Sequence, residues 1–304
     1  SGVIRFANFQ ITNSEILKQL NKKTLTKLES TKKTENKNVP KIIPKIKKSK
    51  SNALIISFDR CSISIYSNIL TSIGFNVKEK LLAPNFVITD SLIRDLRDSI
   101  TKSNIILITG DIPNENLKYY NHLINIIRTP SVLDAINQAL HSYNALIFAS
   151  GVGAKILFQL GFIEMGNSEE KPKFSNFNQV ETPLNKLFRF SLINKNNLWL
   201  KNTTINCCNC SISSKNNHFK LPLIEIEKML KNGQIIAQYN YDKFAISSNQ
   251  KNIKDFMDLS PVGITSPKGN ICGFLPSIEK CIHTSIENYL LLVEMFTNAY
   301  NYLD

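Results

Sequence analysis

The stretch of residues 144–161 constrains the fold more than any other part of this chain. It begins with the apolar run 145–149, continues with small residues, and ends in a segment with apolar residues at helical spacing. This pattern predicts a buried strand that turns sharply into a helix. It is the layout of a nucleophile elbow, in which a Ser or Cys lies on a strained turn beside helix N–H groups. The apex residue here is Gly151, which tolerates the strained backbone but carries no nucleophile.

The size and composition of the chain indicate one large folded domain with an appendage. A chain of 304 residues, 42% of them apolar, can bury a full core despite a formal net charge of +13. It contains no run of 18 apolar residues, so we expect no membrane partner. Six cysteines are too few for a disulfide scaffold and indicate a reducing compartment. The first residues, Ser1-Gly-Val without Met, indicate a mature product or a fragment of a longer polypeptide.

The first fifty residues differ from the rest in composition. Apolar spacing within 11–28 predicts a helix, so we assign residues 1–28 to the C-terminal helix of a preceding domain. Residues 29–51 are rich in Lys, Thr, Asn and Pro and form a predicted basic linker. The basic run Lys41–Lys50 fits a solvated linker best, with a nuclear-import signal or a polyanion contact as alternatives. Residues 52–304 form the main domain.

Strands and helices alternate in the first part of this domain, which predicts an α/β fold with a mostly parallel sheet flanked by helices. A smaller portion with mixed strands follows after residue 165, and a last helix covers 284–303. The predicted strands lie near 53–57, 75–78, 104–109, 145–149, 187–193, 234–239, 262–265 and 270–275, and the earlier helices near 62–73, 90–102, 114–127 and 131–142.

The segment 261–280 reads Pro-Val-Gly-Ile-Thr-Ser-Pro-Lys-Gly-Asn-Ile-Cys-Gly-Phe-Leu-Pro-Ser-Ile-Glu-Lys. It resembles the end of class I glutamine amidotransferase domains, specifically those of phosphoribosylformylglycinamidine synthase. Other landmarks of that family follow in the same order, at Gln159–Ile163, Pro172–Asn176, Leu187–Ser191 and Gln234–Tyr239. The resemblance covers residues 52–303 and implies a flavodoxin-like fold.

The resemblance also shows which catalytic positions have changed. It places the nucleophilic Cys of the family at Gly151 and the general-base His at Ser277, while the orienting acid is retained as Glu279. Attack on a glutamine amide needs a thiolate, a base and a group that orients the base. The Asn and Gln positions of the elbow are Val152 and Lys155. We therefore expect no glutaminase activity.

Two further losses follow from the same resemblance. The glycine-rich loop of the family keeps only Gly110, and its Ala-His-Gly-Glu-Gly segment after Leu221–Leu223 is deleted. Apolar residues at motif positions, Val152, Ala154 and Ile278, predict that the former glutamine pocket has become apolar and closed.

Other residues could in principle supply chemistry, but each fits a structural role better. Ser150 should point away from the apex because side chains alternate along a strand. Cys272 and Cys281 are typical of buried structural thiols. The run Cys207–Cys210 with His218 matches zinc spacing imperfectly and fits a surface loop better. No motif pairs His122, His141 or His283 with a partner, so we predict no metal and no cofactor.

Two functions remain open. In the first, the chain is a pseudoenzyme that resembles the degenerate synthase homologues in gammaherpesvirus tegument, which implies the host nucleus and virion as its location. Its partners would be upstream synthase-like domains of the same polypeptide and a host nuclear protein. In the second, it is the end of a cytoplasmic purine-biosynthesis synthase that uses free ammonia. Aromatic residues are not interleaved with the charges, so a nucleic-acid groove is not indicated.

Overall fold

The computed structural model describes residues 51–83, 87–111, 117–168, 177–178, 186–212, 218–219, 221–240, 261–282 and 285–304. All of them lie in the compact unit Lys48–Asp304. Four predicted features lie outside the described residues: the helix at 11–28, the basic linker, the motif Pro172–Asn176 and His283.

One nine-stranded sheet forms the centre of the domain, in the order β2-β1-β3-β4-β11-β10-β9-β6-β7. The strands from β2 to β11 in this order are parallel, and those from β11 to β7 are antiparallel. The bounds are β1 Asn52–Ser57, β2 Asn76–Leu81, β3 Ile105–Thr109, β4 Leu146–Ser150, β6 Lys186–Leu192, β7 Cys207–Ile212, β9 Ile235–Asn240, β10 Pro261–Thr265 and β11 Ile271–Phe274. Two short strands, β5 Phe177–Asn178 and β8 His218–Phe219, form a separate pair.

Strands β1, β3 and β4 are rich in apolar residues and lie in the interior of the sheet, whereas the parallel strand β2 lies at its edge and is partly exposed. Every residue of β3 and β4 is buried, as expected for strands covered by helices on both faces. The predicted strands 53–57, 104–109 and 145–149 are neighbours in this sheet, which confirms the α/β fold with a mostly parallel sheet. The mixed strands after residue 165 do not form a separate layer, since most of them extend the same sheet.

Helices cover both faces of the sheet. Helices α1 and α8 contribute to one buried cluster, together with Trp199 and Phe148, and helices α2 to α7 contribute to the cluster on the opposite face. The bounds are α1 Arg60–Ile73, α2 Asp90–Thr101, α3 Leu117–Arg128, α4 Pro130–Ser142, α5 Val152–Gln159, α6 Phe162–Met165, α7 Leu223–Lys231 and α8 Ile286–Leu303. Among the described residues, no helix is long and apolar enough to cross a membrane.

The sequence pattern did not predict several elements of the structure, including strand β7 and helix α7. Strand β7 holds the cysteine run that we expected in a surface loop, and that expectation is wrong. Strand β7 pairs with β6 at the edge of the sheet, and Cys208 and Cys210 are buried while Cys207 is half-buried. Cysteine packs as a small apolar residue, so this run alternates like an ordinary half-buried strand. Helix α7 begins at Leu223, the last residue before the position where the resemblance implies a deleted segment.

Candidate functional site at the elbow

The elbow has the backbone geometry that a nucleophile turn requires. Strand β4 ends at Ser150 and helix α5 begins at Val152, so a single residue makes the turn. That residue, Gly151, has φ +57° and ψ −125°, a strained region where a side chain is disfavoured. The strained turn is therefore present although the residue at its apex has no side chain.

Strand β11 leads into the second segment that carries the family resemblance, and this segment lies at the elbow. The strand runs parallel to β4 with Phe274 opposite Ser150, and the Gly151 N–H donates to the Phe274 carbonyl at 3.0 Å. Because parallel strands end at the same edge of the sheet, the chain after Phe274 passes over the turn. It continues through Ser277 into a single 3₁₀ turn, Ile278–Cys281, which contains Glu279. The resemblance placed the lost base and the retained acid on this segment.

The space above the elbow is filled. A Cβ atom built on Gly151 would collide with the Ser277 hydroxyl and would lie 2.8 Å from both the Asp111 Oδ1 and the Gly110 carbonyl oxygen. Real Cβ atoms keep larger separations, so a thiol side chain has no room at the apex unless these groups move. Ser277 itself is 7% exposed, and its hydroxyl has no hydrogen-bond partner among the described residues. Val152, Ala154 and Ile278 are also buried.

The backbone N–H of the elbow that would stabilise an anion already donates a hydrogen bond within the protein. In a nucleophile elbow, the N–H of the residue after the nucleophile forms part of the oxyanion hole. Here that residue is Val152, and its N–H donates to the Gly110 carbonyl oxygen at 3.0 Å. Gly110 follows β3 and has a φ of +105°, which glycine adopts readily. An acceptor oxygen therefore lies where a negatively charged intermediate would have to bind.

Glu279 belongs to a buried network on helix α1. Its carboxylate is fully buried and accepts hydrogen bonds from the Ser62 hydroxyl at 2.9 Å and the Tyr66 hydroxyl at 3.0 Å. The Tyr66 oxygen also lies 3.2 Å from the Ser150 hydroxyl. The pKa of Glu279 is raised to about 7, mainly by burial and in part by the nearby Asp111, while the hydrogen bonds oppose the shift. The acid therefore links α1 to the 3₁₀ turn, and no hydrogen bond joins it to Ser277 in the described structure.

Asp59 extends this network to the loop after β3. It caps helix α1 by accepting from the Ser62 N–H at 2.7 Å, and its second carboxylate oxygen accepts from the Asp111 N–H at 2.9 Å. Lys280 forms an ion pair of 2.6 Å with the Asp111 carboxylate. Burial alone would lower the pKa of Lys280, but the charge and hydrogen bond of Asp111, together with the charges of Asp59 and Glu279, raise the net pKa. The loop that carries Gly110 is thus held from both sides.

None of the alternative nucleophiles is accessible. Ser150 is fully buried beside Tyr66, on the side of the strand away from the apex that its position in β4 predicts. Cys272 is fully buried in β11, and burial raises the pKa of its thiol well above the ordinary value. Cys281 is buried at the end of the 3₁₀ turn. A thiol reacts as its thiolate, which burial disfavours.

The candidate metal residues do not form a cluster. Cys207 accepts a contact of 2.8 Å from the Arg189 guanidinium on the neighbouring strand, and His218 lies on β8 in the other sheet. Within the described ranges, no group of three or more His, Cys, Asp and Glu could hold a metal ion. His122 lies in α3 and His141 in the last turn of α4, away from the elbow in the chain.

The sequence did not reveal the residues of α1 that hold Glu279. Asp59 before the helix gives a capping signal, with Ser62 three residues later, but neither Ser62 nor Tyr66 belongs to a catalytic motif. Only the packing of α1 against the 3₁₀ turn brings these side chains to the acid.

Comparison with known proteins identifies what the domain is similar to. A family model described as a CobB/CobQ-like glutamine amidotransferase domain matches residues 69–303. Among solved structures, the glutaminase domain of Trypanosoma brucei CTPS with bound acivicin is 8% identical, with a TM-score of 0.50 over 83% of this chain and 94% of that chain. A second structure, described as a glutamine amidotransferase, is 10% identical with a TM-score of 0.40 over 79% of this chain and 98% of that one. No curated protein matches this chain.

Proposed function

Because the chain belongs to the family of CobB/CobQ-like glutamine amidotransferase domains, we propose that it is a member that no longer hydrolyses glutamine and that acts through protein binding. The observation that carries this proposal is the hydrogen bond from the Val152 N–H to the Gly110 carbonyl. A missing nucleophile could be replaced from elsewhere, but a filled oxyanion hole disfavours the intermediate whichever nucleophile attacks.

The filled apex supports the same conclusion independently. The Ser277 hydroxyl and the Gly110 carbonyl take the space where the reacting amide carbon would have to approach. The buried network of Glu279, Ser62 and Tyr66 gives the remaining acid a structural role. Retaining the fold while the site closes is what we expect of a domain whose outer surface has become the functional part.

Labelling with acivicin tests the closed site. We expect intact-mass spectrometry to find no adduct on the elbow of the full chain, because Gly151 carries no nucleophile and the Ser277 hydroxyl fills the space at the apex. Cys61 is exposed and Cys207 is half-buried, so both could react without any relation to function. The variant Cys61→Ser/Cys207→Ser removes this background. An adduct on Ser277, Ser150 or Cys272 in that variant would contradict the proposal.

A more specific functional assignment rests on the family resemblance of the sequence motifs. We propose that this domain belongs to a phosphoribosylformylglycinamidine synthase homologue of the viral tegument type. In that role it docks on the upstream domains of its own polypeptide and on a host nuclear protein, in the nucleus and in the virion. The net charge of +13 favours an acidic partner surface, through long-range attraction that weakens with salt.

Localisation tests this role. If Lys45–Lys50 aids nuclear import, replacing Lys45, Lys47, Lys48 and Lys50 with Gln should shift the protein to the cytoplasm, while replacing four exposed lysines elsewhere should not. Unchanged nuclear entry would remove the linker from the proposal. A strictly cytosolic protein whose full gene rescues a purine auxotroph supplied with ammonia would favour the synthase alternative.

A further inference from the structure

A polar cleft of about 360 Å³ lies at the edge of the sheet opposite the elbow. The turn 266–270 between β10 and β11 forms one wall, so this wall lies at the start of β11. The elbow, in contrast, lies at the end of β4. Since β11 and β4 run parallel, the two sites are separated by the length of a strand, roughly 15 Å. The cleft is therefore independent of the elbow.

The residues that line the cleft are mostly polar. Three connections contribute to the lining: the loop after β6, the turn between α7 and β9, and the turn between β10 and β11. They supply several side-chain amides and two cations, and none of the described residues in the lining carries a carboxylate. The amides belong to Asn194, Asn196, Asn197, Asn232 and Gln234, and the cations are Lys231 and Lys268.

Partly buried hydrogen bonds hold the walls of the cleft in place. The Asn194 side chain donates to the Gly233 carbonyl at 2.7 Å, which joins two of the three connections. The indole N–H of Trp199, a fully buried residue, donates to the Gly269 carbonyl at 2.8 Å and fixes the third. Asn197 accepts from the Trp199 N–H at 3.0 Å. A cleft with fixed walls needs little reorganisation to bind a ligand.

The two lysines that border this cleft carry uncompensated charge. In the part of the chain that the structure describes, Lys231 and Lys268 form no ion pair, whereas Lys280 at the elbow is paired with Asp111. Lysine is a common ligand of phosphate groups, and asparagine amides both donate to and accept from hydroxyl groups. A volume of about 360 Å³ lies within the range of small-molecule sites and exceeds what a bare phosphate needs.

We propose that this cleft binds a phosphorylated, hydroxyl-rich small molecule of the sugar-phosphate class. The phosphate contacts Lys231 and Lys268, and the hydroxyl groups contact the side-chain amides of Asn196 and Asn232, because those of Asn194 and Asn197 are engaged in the walls. The site lies away from the chemistry of the elbow, so a domain without glutaminase activity can still respond to a metabolite.

Titration calorimetry on the full chain tests this assignment with glucose 6-phosphate, glucose and inorganic phosphate as probes. We expect saturable binding of glucose 6-phosphate, and an affinity at least about tenfold lower for each of the other two, because each lacks one set of contacts. Equal affinity for inorganic phosphate would overturn the sugar-phosphate assignment. No saturable binding of any probe would overturn the site.

Matched variants locate the binding. Lys231→Ala/Lys268→Ala should weaken glucose 6-phosphate binding by about tenfold or more, since both charges that face the phosphate are removed. Lys102→Ala/Lys118→Ala removes two exposed charges outside the cleft and should leave the affinity unchanged. Circular dichroism should show that both variants are folded. An equal loss in the two variants would show a general charge effect and contradict the proposal.

Discussion

The backbone N–H of Val152 donates a hydrogen bond to the Gly110 carbonyl oxygen at 3.0 Å, across the turn that joins β4 to α5. This bond satisfies a helix N-terminal donor that an active elbow leaves available for an oxyanion. We propose that the site is altered at the level of the backbone as well as at the two catalytic positions. Restoring side chains alone should not restore the chemistry.

Reversion of the two catalytic positions tests this conclusion. Gly151→Cys/Ser277→His returns the nucleophile and the base. We expect no more glutamate release than from Gly151→Ala/Ser277→His. The Gly110 carbonyl still occupies the Val152 N–H, and loss of one oxyanion donor alone costs about 10²–10³-fold in kcat. Glutamate release well above this control would mean that the Gly110 loop moves aside easily.

The buried carboxyl group of Glu279 predicts an unusual dependence of stability on pH. Its pKa is about 7 in the folded chain and 4.5 ordinarily, so the folded state binds the proton more tightly. The favourable contribution is complete below pH 4.5 and is lost as the pH rises towards 7. A shift of this size corresponds to about 3 kcal/mol of unfolding free energy. Glu279→Gln should remove this contribution.

Urea unfolding at pH 5 and pH 8 measures the effect. The loss of unfolding free energy between these two pH values should be larger in the native chain than in Glu279→Gln by about 2–3 kcal/mol. Contributions to the pH dependence that the two proteins share cancel in this difference. Glu227→Gln, at an exposed position of α7, serves as the control. Parallel pH profiles for the native chain and Glu279→Gln would show that the carboxyl group is not buried as described.

Removing the hydroxyl of Tyr66 should affect stability and the titration of Glu279 together. Tyr66→Phe deletes a buried hydrogen bond of 3.0 Å and should lower the unfolding free energy at pH 8 by about 1–2 kcal/mol. The lost bond favoured the charged carboxylate, so the pKa of Glu279 should rise further. The midpoint of the stability profile should therefore move to higher pH. Tyr302→Phe, where the ring is exposed, should change neither quantity.

Gly153 packs directly against strand β3, and this contact predicts a large effect of a small substitution. A Cβ at this position would collide with the Ile108 carbonyl group and lie 3.0 Å from the Thr109 nitrogen. Backbone atoms of a central strand cannot move aside, so Gly153→Ala should cost about 3 kcal/mol. A Cβ at Gly269 would meet no atom within 4 Å, and only the positive φ of +74° disfavours a side chain there. Gly269→Ala should therefore cost about 1 kcal/mol of stability. Chemical denaturation compares the two, and similar losses would contradict the close packing.

The sequence predicted the fold through features that depend on local pattern. Apolar runs bounded by polar turns marked β1, β3 and β4, and the small residues around Gly151 marked the turn between β4 and α5. The order of the motifs also anticipated that residues 276–279 belong with the elbow. Each of these signals lies within one short segment, which is why they could be read without knowing the packing.

The closure of the site depends on contacts between distant segments. Nothing in the residues around Gly110 indicates that its carbonyl oxygen would face Val152, because this depends on the path of the backbone. The partners of Glu279 come from α1, 217 residues earlier in the case of Ser62. Strand β7 was missed because cysteine and asparagine give weak strand signals, and only its pairing with β6 defines it.

Glutamate release from the full native chain at saturating glutamine tests the central claim most directly. The account predicts a rate equal to that of a matched blank, because the apex lacks a nucleophile and the Gly110 carbonyl occupies the oxyanion-hole donor. Neither Ser277→Ala nor Ser150→Ala should change it. A rate above the blank that disappears in either variant, or in Cys272→Ser, would show a relocated catalytic centre and contradict the account.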